Sequence, residues 1–281
     1  MDLSTATALL GAAAVGGLAL YEGADSPFSV GHAAFMGAAG GSALGINIEN
    51  MARYFRLKSS NRTLESLPNA RQANIKKLVK AFDMSKLPVF VQEEGTPWEN
   101  AAYYDSGTPE EEVPDAKWKN VLTGKRLRKF PNRAVYIGKK YNHIPVLAHE
   151  LGHAVDFADK SEFDRSVAPT MYKAMMTGGA FVGGLAGVGS SALRGFGHDA
   201  ESRVASIISM AGSAIGLLGA ALYKARTKRL ESTASRNALN ILKGMQRKQT
   251  YEQSRDALTK AYRTYDPISV MDPFGSVENA V

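Results

Sequence analysis

The chain has 281 residues, of which 44% are hydrophobic and 22% charged, with no cysteine and a formal charge of +7. That length buries a core and suits one or two domains, and the composition excludes a disordered or collagen-like chain. The lack of cysteine excludes a disulfide framework, an iron–sulfur cluster, a thiolate zinc site and a cysteine nucleophile.

Four uncharged apolar stretches punctuate the chain: Leu3–Tyr21, Phe28–Ile48, Met175–Leu193 and Val204–Tyr223. Each is near the roughly 20 residues that a helix needs to cross a bilayer core. They come as two pairs, joined by short connections at 22–27 and 194–203, which predicts two transmembrane helical hairpins. Glycines recur at spacing four (Gly37/Gly41/Gly45, Gly179/Gly183/Gly187 and Gly212/Gly216), and such spacing lets membrane helices approach closely. The segment Met51–Phe90 carries nine Lys or Arg against two acids, and Tyr223–Lys248 eight against one. By the positive-inside rule the polar portions face the cytoplasm and the hairpin loops face outward. These juxtamembrane cations account for the basic charge, and no nucleic-acid-binding motif accompanies them, so the expected partners are a lipid bilayer and a peptide or protein substrate, not a nucleic acid.

In chain order the polar part reads as follows. Pro68–Phe82 has Ile75, Leu78, Val79 and Phe82 at helical spacing and predicts an amphipathic helix. Leu87–Gln92, Asn100–Tyr104 and Arg133–Ile137 are strand candidates. The segment Asp105–Asn132 reads as a charged loop, acidic at first and basic later. Pro145 opens a helix where its missing N–H costs least, with Leu147, Leu151, Ala154, Val155 and Ala158 as its core stripe. A last helical region is expected from about Lys224 to Arg263, with Leu230, Ala234, Ile241, Leu242 and Met245 on one face, followed by an irregular tail. The resulting division is a hairpin at 1–50, polar segments at 51–174 and 224–265 flanking a second hairpin at 175–223, and the tail at 266–281. The fold class is mainly α with a small β-sheet.

The sharpest chemical signal is His149-Glu150-Leu151-Gly152-His153. Histidines four apart lie one turn apart on a helix, so both imidazoles can reach one ion. Glu150 is placed to take a proton from a water that the ion activates. A catalytic zinc keeps three protein ligands and an open position. Glu231, the lone acid between Tyr223 and Lys248, is the choice for the third, with Ser235 on the same helix face.

The zinc-binding helix, the intervening apolar pair and then Glu231-x-x-Ala234-Ser235-x-x-Ala238 resemble the membrane gluzincins, which include HtpX-like peptidases, CAAX prenyl endopeptidases and YugP-like zinc peptidases. The HtpX type has Asp where this chain has Ser235; Ala234-Ser235-Arg236 with Ala238-Leu239 is closer to the YugP pattern. Asn100-Ala101 resembles the Asn-Ala pair on the cleft-edge strand that holds extended substrate, and the ending around Leu258, Ala261 and Thr264-Tyr265 faintly echoes that of the YugP type. The resemblance covers residues 87–104 and 133–265 and implies a zincin-like fold and a zinc endopeptidase. In it His149, His153 and Glu231 hold Zn2+, Glu150 is the catalytic base, Asn100 and Ala101 bind substrate, and Ser235 supports the ligands from behind. Arg236, His198 and Tyr262 are candidates for an oxyanion stabiliser. A different class of reading is a structural or membrane-penetrating component of a larger assembly, such as a phage virion, that carries a peptidase-like domain. A homo-oligomer is also open.

Overall fold

A computed structural model of the protein describes residues 67–94, 98, 101–105, 113, 116–131 and 133–263, with positions 10, 11, 14, 51, 52 and 63 besides. The first apolar pair, Asn100 and the tail at 266–281 therefore lie wholly or almost wholly outside the described residues. What is described is mostly helical, with one small mixed sheet and one long apolar helix. It divides into two compact units. Ser161–Thr227 belongs to one, and the described parts of Tyr54–Lys160 and Lys228–Val281 belong to the other.

The second of these units is built around four strands, β1 (Val89–Glu94), β2 (Ala101–Tyr104), β3 (Lys117–Asn120) and β4 (Ala134–Ile137), in the order β2-β4-β1-β3. β1 runs parallel to β4, with Val89 opposite Val135, while β2 pairs antiparallel with β4 and β3 antiparallel with β1. All four residues of β4 are buried, as befits a strand with neighbours on both edges. Its side chains alternate between two cores, as the two-residue period of a strand requires. Val135 and Ile137 enter the larger core, where Leu78, Leu147, Leu151 and Leu239 meet. Ala134 and Tyr136 enter an aromatic cluster with Phe90 and Trp118, in which Phe90 stacks on Tyr136 at 5.3 Å and Trp118 meets Tyr136 edge-on at 5.6 Å.

β3 corrects the expectation of an uninterrupted charged loop over Asp105–Asn132. Lys117 and Lys119 point outward while Trp118 and Asn120 are buried, so a two-residue period lies beneath the charges. The strand turns back on itself: Asn120 N–H donates to Lys125 O (2.9 Å) and Leu127 N–H to Trp118 O (2.8 Å).

Helix α1 (Gln72–Ala81) buries Ile75, Leu78 and Val79 against this sheet's larger core, as the periodicity predicted. Helix α2 (Ile144–Ala158) begins with Pro145 in its first turn and buries Leu147, Ala148, Leu151 and Ala154. Val155 is only half-buried and Ala158, at the helix end, is exposed, which shortens the expected stripe. The expected last helix is in fact two. Helix α4 (Asp199–Met245) is continuous with the fourth apolar stretch, and α5 (Lys248–Tyr262) follows after a break. Met245, at the end of α4, is exposed. Ala238, Leu239 and Leu242 form the buried face instead, and α5 returns Ala257 and Leu258 to the interior.

The other unit holds α3 (Ala168–Gly195), entered through a π-helical turn at Phe163–Val167, and the first part of α4. A short turn at 196–198, with Gly197 at φ +80°, reverses the chain between them. The two helices meet backbone to backbone: a Cβ added to Gly179 would lie 2.3 Å from Gly216 N, and one added to Gly212 would lie 2.7 Å from Gly183 N. Ser190, Ser202, Ser206 and Ser209 are buried in the contact. Ser190 Oγ lies 2.5 Å from Ser206 Oγ, and Ser209 Oγ donates to Gly183 O at 2.7 Å. The large apolar side chains point the other way, with Phe181, Leu185, Val188, Ile207, Ile215 and Leu218 exposed. Among the described residues α4 is the one helix both long and apolar enough to cross a membrane. α3 is long, but Gly, Ala and Ser make up much of it.

Candidate metal centre

α2 carries His149 and His153 one turn apart, and α4 presents Glu231 and Ser235 one turn apart, so two faces of matching period confront each other. The helices can approach because each is small where they cross. A Cβ on Gly152 would fall 2.2 Å from Ala234 O, a distance no real side chain tolerates, so glycine in the fourth position of the histidine motif is a packing requirement. Ala234, Ser235 and Ala238 are fully or almost fully buried along the same face of α4. Asn237 Nδ2 donates to Gly152 O at 3.3 Å and tethers the crossing from its far side.

The result is a three-donor cluster. His149 Nε2 lies 3.0 Å from Glu231 Oε2 and 3.2 Å from His153 Nε2, and His153 Nε2 lies 3.6 Å from Glu231 Oε2. A tetrahedral ion with bonds of about 2.0–2.1 Å separates its donors by about 3.3 Å. The three observed edges bracket that value, so the residues fit one such ion and leave its fourth corner to another ligand. The side chains are 17%, 13% and 14% exposed for His149, His153 and Glu231, which shields the site without sealing it. His149 Nδ1 lies 3.0 Å from Ser235 Oγ. With its proton donated there, Nε2 keeps a lone pair for an ion, the outer-partner arrangement that sets a ligand's tautomer and ring orientation.

Burial and mutual pairing shift the protonation of these groups in opposite directions. Burial alone would lower the His149 pKa, but the bond to Glu231 and the carboxylates of Glu150 and Glu231 outweigh it, and the net shift is upward. Burial alone would raise Glu231, but hydrogen bonds to the two imidazoles overcome it and hold the carboxyl well below the usual range. Glu150 sits outside the donor trio. It is buried, and burial pushes its pKa up against the pull of His149 and His153. A backbone hydrogen bond from Tyr103 ties its carboxylate to β2.

Ala101, the other expected substrate contact, lies on β2, one of the two edge strands of the sheet; its expected companion Asn100 is outside the described residues. Of the oxyanion candidates, Arg236 is exposed on α4, Tyr262 packs against the larger core at the end of α5, and His198 lies in the turn between α3 and α4. Sequence reading missed Asn237 and Tyr103. Tyr103 Oη donates to Asp105 Oδ1 (2.8 Å) and accepts from Arg133 Nε (3.0 Å), while its ring meets Phe157 of α2 edge-on at 5.9 Å. Burial and the bond to Asp105 push the phenol pKa up to about 12. No motif advertises such residues; their roles depend on which strand abuts which helix.

His149, His153 and Glu231 thus form a group that could hold one metal ion, assembled from two helices and braced by Ser235 and Asn237. Compared with known proteins, the chain matches no family model, no curated protein and no solved structure.

Proposed function

We propose that the protein is a membrane-anchored, zinc-dependent endopeptidase of gluzincin type. The observation that carries this reading is the convergence of His149, His153 and Glu231 within 4.8 Å of one another, with Glu150 adjacent to the first histidine in the sequence. Two imidazoles and one carboxylate suit zinc better than the all-oxygen shells of magnesium or calcium. When bound, zinc supplies Lewis-acid polarisation of a scissile carbonyl and lowers the pKa of a water.

The chain's own residues supply the rest. Ser235 holds the Nδ1 proton of His149 and so keeps Nε2 as a donor. The Glu150 carboxylate accepts the proton of the attacking water and passes it to the leaving amine nitrogen. β2 offers an edge along which an extended peptide lies, with Asn100 and Ala101 contributing contacts. The buried serines and outward apolar side chains of α3 and α4 support a hairpin that spans a bilayer, and the basic flanks favour a cytoplasmic catalytic portion.

The test measures metal and proteolysis separately. Purified protein should contain one zinc, and Glu231→Ala should lose it. Glu150→Gln should retain zinc while losing about 10²–10⁴-fold in rate on any cleaved peptide. Undiminished zinc affinity in Glu231→Ala, or near-normal cleavage by Glu150→Gln, would overturn these assignments. Carbonate extraction of the native protein from membranes would remove the membrane anchor and favour a structural or membrane-penetrating component of a larger assembly.

A further inference from the structure

We propose that a cationic groove on the β3 hairpin binds the phosphorylated headgroup of an anionic lipid. The groove, of about 730 Å³, is lined by Pro88, Phe90, Lys125, Arg126, Arg128 and Lys129 among others, with no acid among the described residues that line it. Arg126 approaches Glu93 only at 3.9 Å, and Glu93 already holds Lys119 at 3.1 Å. Among the described residues Lys125, Arg128 and Lys129 have no acidic partner at all. A solvated charged face would be convex or interleaved with carboxylates; this one is concave and, among the described residues, of one sign.

The backbone that carries the cations is also ordered. Backbone bonds join Asn120 to Lys125 and Trp118 to Leu127. Asn120 Oδ1 accepts from Leu122 N–H (2.9 Å) and Thr123 N–H (3.0 Å), which fixes the turn, and Gly124 at φ +73° completes it. The side chains of Lys125, Arg126, Arg128 and Lys129 are exposed on this ordered turn, and guanidinium forks and ammonium groups match phosphate oxygens. The volume lies in the range of small-molecule sites and exceeds what one bare phosphate fills. Phe90 is only 6% exposed, so no aromatic face is offered for base stacking, and single-stranded nucleic acid is disfavoured. The choice of a lipid over a soluble phosphate ester rests on the membrane reading of α3 and α4; the groove itself does not.

The experiment titrates the full-length protein, in neutral detergent, with dihexanoyl phosphatidylglycerol, dihexanoyl phosphatidylcholine, inorganic pyrophosphate and a single-stranded RNA oligomer. The glycerol lipid should bind, the choline lipid should not, and added salt should weaken the binding. The triple variant Lys125→Gln/Arg128→Gln/Lys129→Gln should weaken it about 100-fold, at about tenfold or less per cation. The control Lys76→Gln/Lys77→Gln/Lys80→Gln removes the same charge from exposed positions on α1 and should leave binding within about threefold; both variants should keep the parent circular dichroism. Equal weakening by the two triples, or none by the first, would overturn the site. Tighter binding of pyrophosphate with displacement of the lipid would overturn the lipid assignment in favour of a free phosphate, and preferential binding of a single-stranded RNA oligomer would overturn it too. The assay does not depend on bilayer insertion, so it separates this proposal from the membrane anchor.

Discussion

The sheet-bearing unit and the α3–α4 unit solve opposite problems with the same twenty side chains. Around the sheet the largest residues are inside, with Trp118, Tyr136, Leu147, Leu151 and Leu239 all under 2% exposed, and the lysines are outside. Between α3 and α4 the buried residues are glycines and serines, and Phe181, Val188 and Ile215 face outward. Expelling apolar surface from water drives the first arrangement. It cannot drive the second, which buries the small and exposes the large. Close backbone contact and hydrogen bonds between serines hold helices together where the surroundings are themselves apolar. The comparison teaches that the two units are packed on opposite rules, and the proposed bilayer around α3 and α4 would account for the second.

Four measurements would break or sharpen that contrast. The largest effect is expected from Trp118→Ala, which empties the centre of the aromatic cluster and should cost about 3–5 kcal/mol in urea unfolding followed through the sheet unit. A cost below about 1 kcal/mol would mean that the cluster is not a core. Next, Ile215→Asp places a charge on the outward face of α4, where a lipid environment makes it cost about 2.5–3.5 kcal/mol in a membrane-insertion assay. Unchanged insertion would return that face to water.

A smaller effect tests the junction of α2 with α4. Ser235→Ala removes the partner of His149 Nδ1 and should lower metal affinity about 10–100-fold, read by competition with a chelating dye; an unaltered affinity would show that the imidazole is oriented by something else. The smallest effect is at Ser190→Ala. Ser202 Oγ keeps its bond to Ser190 O, but Ser206 Oγ loses its partner, which burial in protein surrounded by water would make cost about 1–3 kcal/mol. Among helices in a bilayer the average is about 0.6 kcal/mol. Reversible unfolding in mixed micelles distinguishes the two, and a loss above about 2 kcal/mol would contradict the membrane assignment.

Much of this architecture is legible without coordinates. The i, i+4 histidines of α2, the amphipathic α1, the strands at 89–94, 101–104 and 134–137, and the apolar character of α4 are local properties, each set by a period of 3.6 or 2 in neighbouring residues. Strand β3 was hidden because a lysine on every second position masked Trp118 and Asn120. The end of α4 differs for a related reason: Met245 continues the apolar period but is exposed, while Ala238, Leu239 and Leu242 join Leu258 of α5 in the larger core.

By itself the sequence determined the two histidines, their shared helix face, Glu150 beside them and the choice of Glu231 as their companion. It also determined where glycine falls, at Gly152 and along Gly179, Gly183 and Gly187. Only the tertiary structure decided that Glu231 lies 3.0 Å from His149 across a sequence separation of 82, that Gly152 is glycine because Ala234 O occupies the place of a side chain, and that Tyr103 reaches Glu150 through its backbone. The reason is physical. Helical period fixes which residues share a face, whereas the distance between two faces depends on the size of every side chain packed between them.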